Sequence, residues 1–221
     1  MRNFYFILFL LLSQIVRSHG QEKMIVNNED WTAYTYQKFS YNVSSINKLP
    51  NNIQQVVKFL LNDTFWDLKD SLHFVSAQVI DIKSHLKSNI QYFGKLSVIP
   101  KYELNFYLKD LSIGVHRYNV VLYLDDYGQI LELNWPREYG GSKQSFLDRG
   151  LISKFILSEA TRRGYALDNY LVNFDYDPQY SRLCWTFSFL SRSIVGGGVY
   201  DFIKVPWDEL TIIESTRIIN N

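Results

Sequence analysis

The stretch YELNFYLKDLSIGVHRYNVVLYLDDYGQILELNW, residues 102–135, decides the fold. Its first part alternates strictly. Tyr102, Leu104, Phe106 and Leu108 fall on one phase, and Glu103, Asn105, Tyr107 and Lys109 on the other. A period of two with one apolar phase is a strand buried on one face. Gly114 interrupts the pattern, and residues 118–124 read as a further strand. Asp125-Asp126-Tyr127-Gly128 reads as a turn, because Asp starts turns and Gly supplies positive φ. Residues 129–135 return as the hairpin partner, with Leu131, Leu133 and Trp135 on one face. Pro136 has no N–H to give a ladder and ends the strand.

Upstream of this stretch the period changes. Ile53, Val56, Val57, Leu60 and Leu61 follow the i, i+3, i+4, i+7, i+8 spacing of one helix face, and Pro50 opens the helix. Residues 74–86 carry β-branched residues with polar alternates, the pattern of a strand. Residues 21–49 are polar and mixed, with alternating aromatics over 31–41 that suit one edge strand.

Downstream, residues 137–149 form a polar, glycine-containing linker. Leu151, Ile152, Phe155, Ile156, Glu159 and Ala160 restore the helical period, and Gly164 is placed to stop the helix. Residues 170–176 read as a strand ending at Asp177-Pro178. Leu183, Trp185, Phe187 and Phe189 then alternate with Cys184, Thr186, Ser188 and Leu190. Gly196-Gly197-Gly198 is read as a hairpin turn, and residues 199–205 and 210–218 as the last two strands. Each half, 50–135 and 150–218, thus runs helix and then strands. No strand alternates singly with a helix, so the expected class is α+β: antiparallel sheets, each with one helix packed on a face.

The N-terminus carries an address. Arg2 precedes an unbroken apolar run from Phe4 to Leu12, and Ser18 and Gly20 stand at the −3 and −1 positions of a cut before Gln21. This is the layout of a secretory signal peptide, and the run is far shorter than the ~20 residues that span a bilayer. The expected division is a signal peptide at 1–20, a first α+β unit at 21–137 and a second at 138–221. The expected location is exported, periplasmic or secreted, with no stable membrane insertion after cleavage. Loss of Arg2 and Arg17 takes the 23 basic residues to 21 against 22 acidic ones. Such a balance supplies no global positive field for nucleic acid. An apolar content of 47% argues against disorder.

The layout, together with residues 118–131 (YNVVLYLDDYGQIL), Ala160-Thr-Arg-Arg-Gly-Tyr165 closing the second helix, and Leu183-Cys-Trp-Thr-Phe-Ser-Phe189, resembles the PepSY family of exported small domains. That family runs helix, strands, an aromatic-centred strand and a hairpin turning at roughly Asp-x-x-Gly. The resemblance implies two PepSY-like repeats across about residues 50–218. The second departs from the pattern, since its last hairpin reads Val205-Pro-Trp-Asp-Glu-Leu210 without the Gly. It also implies a non-catalytic exported module that binds protein or peptide and restrains a protease. No His-Glu-x-x-His is present, so the chain does not carry such a protease itself.

Catalytic and metal-binding patterns are sparse. His73, His85 and His116 follow no close metal-ligand spacing. Asp175 and Asp177 share a strand face before Pro178 but offer too few oxygens for calcium, and Asp125-Asp126 starts a turn. Cys184, the single cysteine, rules out an intramolecular disulfide and reads as a small buried residue. There is no Gly-x-Ser-x-Gly elbow, and Gly196–Gly198 opens no helix and lacks the Gly-Lys-Ser/Thr ending of a phosphate loop. Tyr107, Tyr123, Tyr139 and Tyr180 fall on polar phases or in loops, where Tyr either packs at a sheet edge with a wet hydroxyl or serves recognition. Asn42-Val43-Ser44 and Asn62-Asp63-Thr64 fit the glycosylation acceptor pattern, which matters in a eukaryotic source.

Catalytic residues, metal ligands and cofactors are therefore expected to be none, and the binding residues are not specified by the sequence. The leading expectation is an exported, non-enzymatic module that binds a protein or peptide, in the envelope or outside the cell, by a sheet face or by strand addition at a sheet edge. The alternative is an immunity or inhibitor protein for a secreted toxin or enzyme. A third is an enzyme whose carboxylates and tyrosines are brought together by the fold.

Overall fold

A computed structural model describes residues 21–25, 39–83, 100–136 and 142–220. The leader 1–20, most of the aromatic stretch 31–41, His85 and Tyr139 lie outside the described residues.

Among the described residues the chain forms two five-stranded sheets and two complete α-helices. The strands are β1 (Gln21–Ile25), β2 (Phe39–Val43), β3 (Leu72–Ile80), β4 (Tyr102–Asp110), β5 (Val115–Leu124), β6 (Ile130–Leu133), β7 (Asn169–Asp177), β8 (Arg182–Ile194), β9 (Gly197–Pro206) and β10 (Glu214–Asn220). Helix α1 (Asn51–Phe59) lies between β2 and β3, and α2 (Arg149–Arg163) between β6 and β7. The first sheet runs β2-β3-β4-β5-β6 and the second β1-β7-β8-β9-β10. The α+β class with antiparallel sheets is thereby established, and the described strands form two separate sheets, with β1, from the expected first unit, lying in the sheet of β7 to β10. One pairing departs from the antiparallel rule: β1 lies parallel to β7, with Gln21 opposite Asn169 and Ile25 opposite Asn173. Residues 21–25 show no sequence period, so nothing in them announces this strand.

The deciding stretch folds as its phases require. Tyr102, Leu104, Phe106 and Leu108 are buried, and β5 pairs with β4 so that Leu122, Val120 and Tyr118 stand opposite Leu104, Phe106 and Leu108. In the turn after β5, Asp125 Oδ1 accepts from the N–H groups of Tyr127 (2.9 Å) and Gln129 (2.7 Å), and Gly128 takes φ +88°. Gly128 also rests on α1, where a methyl group would meet Val56 at 3.0 Å.

Helix α1 buries Ile53 and Val57 on the apolar stripe expected of it. It ends in a π-type turn at Leu60–Thr64, which delivers Phe65 edge-on to Trp135 at 4.8 Å. Each fully buried aliphatic side chain contributes roughly 1.5–3 kcal/mol. Helix α2 starts at Asp148, whose carboxylate accepts the Leu151 N–H at 2.8 Å, and stops at Gly164 in the left-handed region (φ +76°). It buries Ile152, Ile156 and Ala160.

Two sequence expectations change. Residues 210–213 are not strand; Ile213 N–H reaches Lys204 O at 3.0 Å, and regular pairing begins only at Glu214. Leu210 and Ile212 are apolar because they pack against the core, not because they alternate in a ladder. Likewise β3 stops at Ile80, short of the expected end at 86.

The units share one continuous apolar core. Tyr118 of β5 meets Phe174 of β7 edge-on at 5.5 Å, and Phe146 reaches both Phe174 and Trp207. Polar contacts close the same seam. Asp110 takes hydrogen bonds from Ser71 Oγ (2.7 Å), Ser112 N (3.0 Å) and Ser112 Oγ (2.6 Å), and an ion pair from Lys143 (2.6 Å). The Lys143 N–H in turn donates to Asp67 at 2.7 Å.

Candidate binding surfaces

An open sheet offers its faces and its edges, and the four edge strands differ. On the first sheet, β2 has five residues and a register shift between Phe39 and Tyr41. At the other end β6 has four, with a shift opposite Tyr123 and Leu124. On the second sheet, β1 has five residues in a parallel pair. Only β10 has seven residues in unbroken register, from Glu214 opposite Lys204 to Asn220 opposite Gly198. Short strands and bulges blunt an edge, whereas a long regular edge presents its free N–H and C=O groups as a template. Among the described residues no strand covers the outer side of β10.

The start of β10 is held rigid. Lys204 Nζ sits between Asp177 Oδ2 (2.7 Å) and Glu214 Oε2 (2.9 Å), tying β7 and β10 together from β9. Burial pulls the Lys204 ammonium pKa down, but these two carboxylates outweigh it and the net shift is upward. From the helix side, Arg163 Nη1 donates to Ser215 Oγ at 2.5 Å. Arg163 also pairs with Glu159 at 2.7 Å.

Asp177 is thus a structural ion-pair partner. Its Oδ1 also accepts from Gln179 N–H at 2.9 Å, closing the turn before β8. Asp175 shares its face but lies opposite Cys184, and its Oδ1 accepts from Tyr176 N–H. Among the described residues no group of three or more His, Cys, Asp or Glu could hold a metal ion. Cys184 is buried, and burial, aided by Asp177, pushes its thiol up to about 12.

The outer face of the first sheet carries a different surface. The His73 and Tyr107 rings lie 4.8 Å apart, and Arg117 approaches Tyr107 at 5.7 Å. Tyr107 is half-buried here and Tyr180 is exposed, whereas Tyr123 is buried although it stands on the polar phase. His116 is exposed beside Arg117. Asn42 and Asn62 are both exposed. Gly196 makes the β8–β9 turn at φ +84°, while Gly197 and Gly198 already belong to β9.

Among the described residues the fold is an α+β arrangement of two sheets with one long regular edge strand, β10. No protein-family model, no curated protein and no solved structure matches the chain. Among the described residues no helix is long and apolar enough to cross a membrane.

Proposed function

We propose that this chain is an exported, non-enzymatic module of two PepSY-like units that captures an extended protein or peptide segment by strand addition along β10. The observation that carries the reading is the seven-residue β10 edge, unbroken in register and anchored at Glu214 and Ser215. Backbone pairing at such an edge supplies affinity, and alternate side chains of the incoming strand supply specificity.

Three further features support the reading. The leader pattern at 1–20 accounts for export. Each helix is followed by a four-strand antiparallel meander, β3 to β6 after α1 and β7 to β10 after α2, which is the layout two PepSY-like units need. The ionisable side chains singled out in the second sheet are engaged with one another, as Asp177, Lys204 and Glu214 are, which suits a scaffold. By the PepSY resemblance, the partner class is a protease in the envelope or outside the cell.

The test is selection of peptides against the mature chain from Gln21 onward, followed by hydrogen exchange. Selected peptides should slow exchange across residues 214–220. Neighbouring residues of a strand direct their N–H groups to opposite sides, so Thr216→Pro and Arg217→Pro between them remove one outward donor. Binding kept by both variants would overturn the reading.

A further inference from the structure

The two units fill the same strand position in different ways. In the first sheet, the place beside β3 is taken by β2, which comes from just before α1 and runs antiparallel. In the second sheet, the corresponding place is beside β7, the first strand after α2. Among the described residues the segment before α2 supplies no strand to it: Lys143–Ser145 is a single 3-10 turn, and Lys143 is bound to Asp110 and Asp67 of the first unit. The position is filled instead by β1, from the other end of the chain, in the only parallel pairing among the described strands.

We infer that the outer edge of β7 is a second strand-acceptor site, occupied in cis by residues 21–25 and open to an extended peptide in parallel register when β1 leaves. Parallel pairing is slightly weaker per residue than antiparallel, and β1 is short. β1 pairs with β7 along Asn169–Asn173, and β7 itself runs on to Asp177, with no other described strand beside Phe174–Asp177 on that side. The register also states what the site prefers. Tyr170 and Val172 are buried on the core face of β7, and the residues opposite them in β1 are Glu22 and Met24. An occupant with apolar residues at both register positions matches that buried face. The ligand class is therefore an extended peptide of the form x-apolar-x-apolar-x. This site is separate from β10, which closes the opposite edge of the same sheet.

The experiment uses the mature chain and a variant that lacks residues 21–26, with synthetic peptides as probes. One peptide carries residues 21–26 (QEKMIV), and the other carries Leu at the Glu22 position. The truncated chain should bind both with one-to-one stoichiometry, the Leu peptide more tightly, and the complete mature chain should bind at least about tenfold more weakly, because its site is filled. A truncated chain that melts cooperatively and binds neither peptide would overturn the inference. Where truncation unfolds the chain, hydrogen exchange on the complete chain decides. Amides of residues 169–173 facing β1 should exchange at least about tenfold faster than those of residues 183–187 in β8. Equal protection would mean that β1 does not leave, and would equally overturn it. Neither result depends on peptide capture at β10.

Discussion

The guanidinium carbon of Arg149 lies 4.5 Å from the ring centroid of Trp185. It is also 4.8 Å from that of Phe187, so the first residue of α2 is fastened to β8 of the second sheet. The backbone of Gly114, in the turn between β4 and β5, closes over the same side chain; a methyl group there would stand 2.5 Å from Arg149 Cβ. Arg149 therefore joins both units. A desolvated cation–π contact contributes about 2 kcal/mol. Arg149→Ala should cost about that much in urea unfolding, and Arg149→Lys should cost less, because charge is kept while the planar stack is lost.

Asp110 sets the acid limit of the seam. Burial pushes its carboxyl up, but Lys143, Ser112 and Ser71 more than offset this and hold it well below the usual carboxylate range. A carboxyl whose pKa is lower folded than unfolded stabilises fully above the unfolded value, about 3.9 for Asp. That contribution is lost as pH falls from there towards the folded value. Stability should thus fall below about pH 4 in the native chain and show a smaller fall in Asp110→Asn. At neutral pH the Asn variant should lose about 1.5–3 kcal/mol, because the hydrogen bonds that Ser71, Ser112 and Lys143 give the buried carboxylate are weakened or lost. Urea midpoints between pH 3 and 7 supply the comparison.

Cys184 should be inert in the folded protein. With its thiol pushed up to about 12, little thiolate exists at pH 8. Modification by a disulfide reagent should be on the order of a thousandfold slower than in the urea-unfolded chain. Native-state labelling at the unfolded rate would refute the burial argument, and with it the view of Cys184 as a packing residue.

Ser181 takes φ +52° in the turn between β7 and β8, the only non-glycine at positive φ among the described residues. The left-handed region costs an L-residue about 1–2 kcal/mol, part of which Gly returns as unfolded-state entropy. Ser181→Gly should therefore stabilise by up to about 1 kcal/mol, read as a higher urea midpoint at unchanged slope.

These residues also mark where sequence reasoning reaches its limit. Local periodicity carried the helices and the 102–135 hairpins, since each phase there is decided by neighbours two or four positions away. Gly164 was legible as a helix stop for the same reason. β1 was not, because five residues carry no usable period and their partner is Asn169–Asn173, far along the chain. The apolar residues at 210–213 imitated a strand because packing under the core edge demands the same residue types. Tyr123 sits on a polar phase yet is buried, since alternation shows which residues share a face but not whether that face is covered. The candidate site was legible only as a kind, a sheet edge. Choosing β10 required the strand order and the registers of all four edges, which are tertiary facts.

Strand addition at β10 is open to a crosslinking measurement. A photoreactive residue is placed at Thr216 or Arg217 of the mature chain, and at the exposed helix residue Thr161 as a control. Each protein is irradiated in its native envelope or secreted fraction. The account requires one stoichiometric protein adduct from the β10 positions and none from Thr161. Adducts from neither β10 position, with a strong adduct from a further photoreactive chain substituted at Tyr107 on the first sheet's outer face, would contradict it.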